Sequence, residues 1–281
     1  AGSRKIYNKD QICCWTCEAC AKNQIVVNEV QCIDCGQLKW PEKEFRNQCS
    51  VVQPTYIRLG SGYAIIPMVF SGLGIICTFV VAITFYRFRE TPIVKACGRE
   101  MSCIILSGCM ICYLMTFVLI ATPTMLTCAL QRLGIGVGLA AMYASMLTKT
   151  NRLSRIFDAA KRTIKRPPFI SPKSQLILCG TLVGLQVLLT TVWFIYDPPG
   201  TTNEILNGNE GTFVVQCKQD WKSFLNLLIY NIILIAVCTV YAIKTRHIPE
   251  NFNESKFIGF TMYTTCVIWL AFIAIYFTTL H

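Results

Sequence analysis

Six stretches of this sequence run apolar for about 20 residues, the length a helix needs to cross a hydrocarbon core. They are Tyr63–Tyr86, Met101–Ala121, Met125–Leu147, Ser174–Tyr196, Phe224–Ile243 and Phe257–Leu280. Their length predicts an all-α transmembrane helix bundle rather than the core of a water-soluble domain. Five of the runs hold no Lys, Arg, Asp or Glu. The third holds Arg132 near one end, where a long side chain is expected to reach the interface. The first run follows a long polar, cysteine-rich stretch with no cleavable signal before it, so it reads as a span and not as a targeting peptide. Ala1-Gly2-Ser3, without a Met, reads as the start of a cut segment, with the natural start expected upstream.

The polar connections carry charge unevenly. Arg87, Arg89, Lys95 and Arg99 follow the first run; Lys149, Arg152, Arg155, Lys161, Arg162, Lys165, Arg166 and Lys173 follow the third; Lys244, Arg246 and Lys256 follow the fifth. Thr122–Thr124 has no basic residue, and Asp197–Asp220 has only Lys218 among four acids. The positive-inside rule then puts the first set in the cytoplasm and the second set, with the N-terminal segment, outside. The sequon Asn253-Glu254-Ser255 falls on the cytoplasmic side and reads as chance.

Composition agrees with this reading. The 281 residues are 53% hydrophobic and 15% charged, which leaves little charge to cover a water-facing surface. The net charge of +11 would fit nucleic acid if it were spread over one surface, but the basic residues cluster between apolar runs, which favours membrane lipid and no nucleic acid.

Seven cysteines lie between residues 13 and 49: Cys13, Cys14, Cys17, Cys20, Cys32, Cys35 and Cys49. Cys17-x-x-Cys20 with Cys32-x-x-Cys35 has the spacing of a four-thiolate zinc site. An oxidising exterior and a segment too small to bury much core favour disulfides instead. An odd count leaves at least one thiol without a partner in the segment. Cys128 and Cys217 both sit at extracellular positions, and a bridge between them would staple the last outer loop over the bundle. The remaining cysteines lie in spans or cytoplasmic connections and read as packing thiols.

Chemistry inside the membrane normally shows as buried carboxylates, histidines or metal ligands. The spans hold no Asp, Glu or His, with Arg132 their one charged residue, and His247 and His281 only flank them, so neither catalysis nor a bound metal or cofactor is expected. The polar residues within spans are Tyr143, Ser145 and Thr148, then Asn231, then Thr261, Tyr263, Thr264, Thr265 and Trp269. They read either as interhelical packing or as a cavity with a few placed polar groups. Gly134, Gly136 and Gly138 follow no strand and read as a close helix approach rather than a nucleotide loop.

The run Cys13-Cys14-Trp15-x-Cys17-x-x-Cys20, then Cys32-x-x-Cys35-Gly36, Trp40-Pro41 and Cys49, resembles the end of the cysteine-rich linker of metabotropic glutamate receptors, which are class C G-protein-coupled receptors. TPIVKACGRE at 91–100, LTKTNRLSRIF at 147–157, FISPKSQ at 169–175 and PENFNESKFIGFTMYTTCVIWLAF at 249–272 are similar to that family's intracellular loops and its third and sixth helices. The resemblance implies a small disulfide-rich extracellular module over residues 1–56 and a transmembrane domain over 57–281. It also implies disulfides Cys20–Cys32 and Cys35–Cys49, with Cys14 and Cys17 paired to cysteines upstream and Cys13 bridged to a bilobed domain that binds the amino acid.

Further residues take roles from the same resemblance. Tyr143, Asn231, Thr265, Trp269, Phe272 and Tyr276 would line an allosteric pocket, although family members usually have Pro where this chain has Ala274. Lys149 and Glu254 would form a charge pair that restrains the inactive bundle. Phe252 and the basic second cytoplasmic connection, with Lys161, Arg162 and Lys165, would dock a heterotrimeric G protein. The stretch 243–260 resembles members that act through inhibitory G proteins. The implied protein is a plasma-membrane receptor for glutamate or another amino acid, and a homodimer. The family has seven spans and six fall within this sequence, so the expectation is either a cropped sequence or a truncated, non-signalling decoy subunit. A small-solute transporter, the remaining alternative, would show discontinuous helices and internal repeats, and the spans show no convincing repeat.

Overall fold

The computed structural model describes residues 2–7, 15–36, 39–42, 47–52, 60–162, 170–206, 212–218, 221–245 and 253–279. They fall into two compact units. The first comprises Ala1–Arg58, Thr122–Cys128 and Gly200–Lys218, and the second Leu59–Ala121, Ala129–Pro199 and Gln219–His281.

In the first unit every sheet is a two-stranded antiparallel hairpin. β1 (Ser3–Tyr7) pairs with β2 (Trp15–Ala19), β3 (Gln24–Val27) with β4 (Gln31–Asp34), β5 (Lys39–Pro41) with β6 (Cys49–Val51), and β7 (Thr201–Leu206) with β8 (Thr212–Cys217). Isolated hairpins of this size are marginal in water. Covalent links stabilise them: Cys20–Cys32 ties the end of β2 to β4, and Cys35–Cys49 ties the segment after β4 to β6. Cys128–Cys217 anchors the end of β8 across a sequence separation of 89. Cys32 and Cys35 thus belong to different bonds and Cys20 is tied to Cys32, so the four-thiolate arrangement of a zinc site is not assembled, and Cys17 stands exposed as a thiol. Phe213, only 5% exposed, meets the edge of Trp40 with ring centroids 6.5 Å apart. Glu29 in the β3–β4 turn accepts a hydrogen bond from Lys5, which draws its carboxyl below the ordinary range and holds the Lys5 ammonium above its own.

The helices follow the apolar runs because in lipid a span must satisfy its backbone groups internally. They are α1 (Gly62–Arg87), the short α2 (Pro92–Ala96), α3 (Arg99–Ile120), α4 (Met125–Arg162), α5 (Pro172–Tyr196), α6 (Trp221–Lys244) and α7 (Asn253–Thr279). Five of them are long and apolar enough to cross a membrane, and α6 is apolar over the shorter described stretch Leu228–Lys244. The chain is a multi-pass membrane protein.

Helix α4 is the central helix. Within the apolar window 39% of its residues are buried, against 6–17% in the other four long spans, whose apolar side chains, such as Phe70, Leu188 and Ile268, turn outward as lipid requires. Close approach of α3 to α4 depends on glycine. A Cβ on Gly108 would lie 2.9 Å from the Gly138 carbonyl oxygen and 2.8 Å from Met142 Cγ. This is the packing role expected of Gly138.

Two features depart from the sequence expectations. Helix α4 does not stop near Leu147 but continues to Arg162, roughly 20 Å farther at 1.5 Å per residue; a helix leaving lipid persists where hydropathy ends. Arg132 is only 5% exposed rather than reaching outward, because Nη1 donates to the Asp197 carbonyl at 2.9 Å and Nη2 to Asp197 Oδ2 at 3.2 Å.

Candidate functional site

The largest buried cluster of the second unit is built where α4, α6 and α7 meet. Ala140 and Tyr143 from α4, Leu234, Ile235, Cys238 and Ala242 from α6, and Met262 from α7 form its centre, with Cys266 and Trp269 packed against it. Tyr143, 8% exposed, receives a hydrogen bond from Trp269 Nε1 at 3.2 Å. Phe272, about one turn along α7, stands edge-on to Trp269 with centroids 5.7 Å apart. One turn before Trp269 lies Thr265, half-buried.

Asn231 on α6 is fully buried. Its Nδ2 makes one long bond, 3.5 Å, to the Gly136 carbonyl, and its Oδ1 has no partner among the described residues. Leaving a buried acceptor unsatisfied costs about 1–3 kcal/mol. A donor delivered by a ligand or by water would remove that cost.

Other polar residues of the spans do not join it. Ser145 and Thr148 donate to the carbonyls of Ala141 and Ala144 in their own helix, both at 2.7 Å. Thr261 and Thr264 likewise bond within α7, and Tyr263 is 68% exposed, so these three face outward. For all five, ordinary packing and backbone bonding account for the residue. The backbone of α7 carries Tyr276, whose side chain lies outside the described residues. Cys238, Met262 and the Gly136 carbonyl belong to the cluster without having been legible as site residues; they carry no chemical signal in sequence.

A second constellation lies where α4 leaves its apolar stretch. Lys149 Nζ donates to Ser102 Oγ at 3.0 Å and approaches Cys97 Sγ at 3.7 Å, fastening α4 to the start of α3. Gly98, at φ +77°, provides the left-handed turn that opens α3 beside this contact. Phe252 and Lys165 lie outside the described residues, as do the side chains of Glu254, Lys161 and Arg162. Among the described residues no three His, Cys, Asp or Glu side chains converge to hold a metal.

Against known proteins, a family described as "7 transmembrane sweet-taste receptor of 3 GCPR" matches residues 57–281, all six long helices included. The chain belongs to this class C receptor family. Its relatives include a metabotropic glutamate receptor of Drosophila melanogaster, 48% identical over 95% of the chain and 27% of the relative. Metabotropic glutamate receptor 4 of Mus musculus is 44% identical over 99% of the chain and 31% of the relative. A probable metabotropic glutamate receptor of Caenorhabditis elegans is 43% identical over 99% and 28%. This class C chain thus spans about a quarter to a third of the length of these relatives. The family is one of receptors rather than of enzymes. Both the buried cluster and the Lys149 contact lie inside the matched region.

Proposed function

We propose that this chain is the membrane-spanning core, with the adjoining cysteine-rich module, of a metabotropic-glutamate-type receptor that relays amino-acid binding to a heterotrimeric G protein of the inhibitory type. What carries this reading is similarity to metabotropic glutamate receptors along nearly the whole chain, module and helices together. The module occupies residues 1–56 and the transmembrane domain 57–281. The N-terminus is extracellular at the plasma membrane, which the basic connections after the first, third and fifth apolar runs support. The receptor works as a homodimer, and its agonist is glutamate, bound in a domain outside this chain.

The cluster around Tyr143, Asn231, Trp269 and Phe272, with Thr265 and Tyr276 completing its wall, is the allosteric pocket in this reading; the unpartnered Asn231 Oδ1 supports it. Lys149, paired with Glu254 and held by Ser102, restrains the inactive arrangement, and Phe252 with Lys161, Arg162 and Lys165 forms the docking surface. The test is guanine-nucleotide exchange in membranes displaying the receptor that contains this chain. A saturable response to glutamate is expected, abolished by pertussis-toxin modification of the G protein. A displayed receptor that answers no amino acid would overturn the reading.

A further inference from the structure

Where α4 and α5 leave their apolar stretches, a cavity of about 310 Å³ opens between them. Arg152, Arg155 and Asn151 line it from α4, and Ser174 and Gln175 from the start of α5; none of the described residues lining it is acidic. The Asn151 Oδ1 accepts from Arg155 Nε at 3.2 Å, which fixes that guanidinium on the cavity wall. Gln175 is 5% exposed, and its Nε2 donates to the Ile170 carbonyl.

Three further observations point to an anion. Ser174 Oγ is buried and has no hydrogen-bond partner among the described residues. The 25-residue helix α5 begins here, capped by Ser171 with Pro172 in its first turn, so the positive end of its dipole faces the same side. Residues 149–173 hold eight Lys and Arg against the single acid Asp158. Two guanidiniums, a hydroxyl and a helix N-terminus suit a phosphate, whose oxygens accept in several directions.

The apolar side of the crevice favours a lipid as the source of that phosphate. Ile177, at 70% exposure, and Leu178, at 40%, continue from the polar pocket along the outward face of α5. A soluble anion would use only the guanidinium end, whereas a phospholipid would use both. We propose that the α4–α5 crevice binds the phosphorylated headgroup of a phosphoinositide-class lipid, with an acyl chain lying over Ile177 and Leu178. This rests on the proposed topology, in which the basic connections face the cytoplasmic leaflet where such lipids carry their charge.

The experiment measures retention of a phosphatidylinositol bisphosphate by the purified full chain in phosphatidylcholine nanodiscs, without G protein, so that failure of signalling and failure of binding remain separate results. Phosphatidylserine at matched charge and soluble inositol trisphosphate form the comparison arms. The expected result is preference for the phosphoinositide over both, with R152Q and R155Q each weakening it roughly five-fold, the effect of about one lost basic contact. S174A weakens it as well, and R87Q, which removes a basic residue outside the crevice, leaves it unchanged. The same lipid raises the melting temperature of the unsubstituted protein more than phosphatidylserine does, a reading that survives if a variant fails to fold. Equal retention of phosphatidylserine, or equal weakening by R87Q, would show diffuse surface attraction and overturn the proposal. Soluble inositol phosphate binding as tightly as the lipid would overturn the lipid assignment.

Discussion

Trp269 donates its indole N–H to the Tyr143 hydroxyl at 3.2 Å, a bond between residues 126 apart that joins α7 to α4 inside the bundle. Interhelical hydrogen bonds in membranes average about 0.6 kcal/mol and reach about 1.7 kcal/mol. A double-mutant cycle with Tyr143→Phe and Trp269→Phe, read by thermal unfolding in detergent, is expected to give a coupling energy in that range. Strictly additive losses would show that the two groups do not bond.

Gly108 and Gly180 predict opposite outcomes for the same substitution. A Cβ at Gly108 would press on the Gly138 carbonyl, whereas one at Gly180 would meet nothing within 4 Å. Gly108→Ala should therefore cost about 1–3 kcal/mol of stability through overpacking, while Gly180→Ala should stay within about 0.5 kcal/mol. Unfolding midpoints of the two variants, compared with the parent protein, decide the matter.

Lys149 is bonded to Ser102 across 47 residues. If this contact belongs to the inactive arrangement, weakening it shifts a pre-existing equilibrium; a difference of about 1 kcal/mol between the two states moves it roughly five-fold. Lys149→Met is expected to raise agonist-independent nucleotide exchange by about that factor, and Ser102→Ala to raise it less. Unchanged basal exchange in both, at equal surface density, would remove the restraint from the account.

Cys128 and Cys217 close a long loop, and the chain-entropy relation assigns such a bridge roughly 4–5 kcal/mol. Cys128→Ser, Cys217→Ser and the double variant should lose the same stability, because each breaks the same bond. A double variant much worse than either single change would mean that the thiols contribute separately.

Much of the helical fold was legible in residues such as those from Tyr63 to Tyr86, which became a helix from Gly62 to Arg87. Long uncharged runs have one stable answer in lipid. The end of α4 was not legible, because the polar residues after Leu147 stop the hydropathy signal without stopping the helix. Nor was the β7–β8 hairpin. Charge in this connection speaks to topology, while the β-branched and aromatic run Thr212-Phe213-Val214-Val215 is the signal that reveals a strand.

At the candidate site, Tyr143 and Trp269 are legible through family resemblance and not through spacing, and the hydrogen bond between them appears only in three dimensions. In the cysteine segment, spacing alone left zinc and disulfides both open; the pairs Cys20–Cys32 and Cys35–Cys49 are those of the structure. Ser102 and Cys97 gave no sign of meeting Lys149, since nothing in a sequence pairs a serine with a lysine on another helix.

The most direct test of the central claim transplants this region. Residues 57–281 replace the corresponding segment of the Drosophila melanogaster metabotropic glutamate receptor, and glutamate-stimulated nucleotide exchange is measured with surface display matched. The account predicts a saturable response with a half-maximal glutamate concentration close to that of the parent receptor, because the agonist site is retained and the transplanted helices transmit its occupancy. A chimera that reaches the surface and binds glutamate, yet stimulates no exchange with any class of G protein, would contradict it.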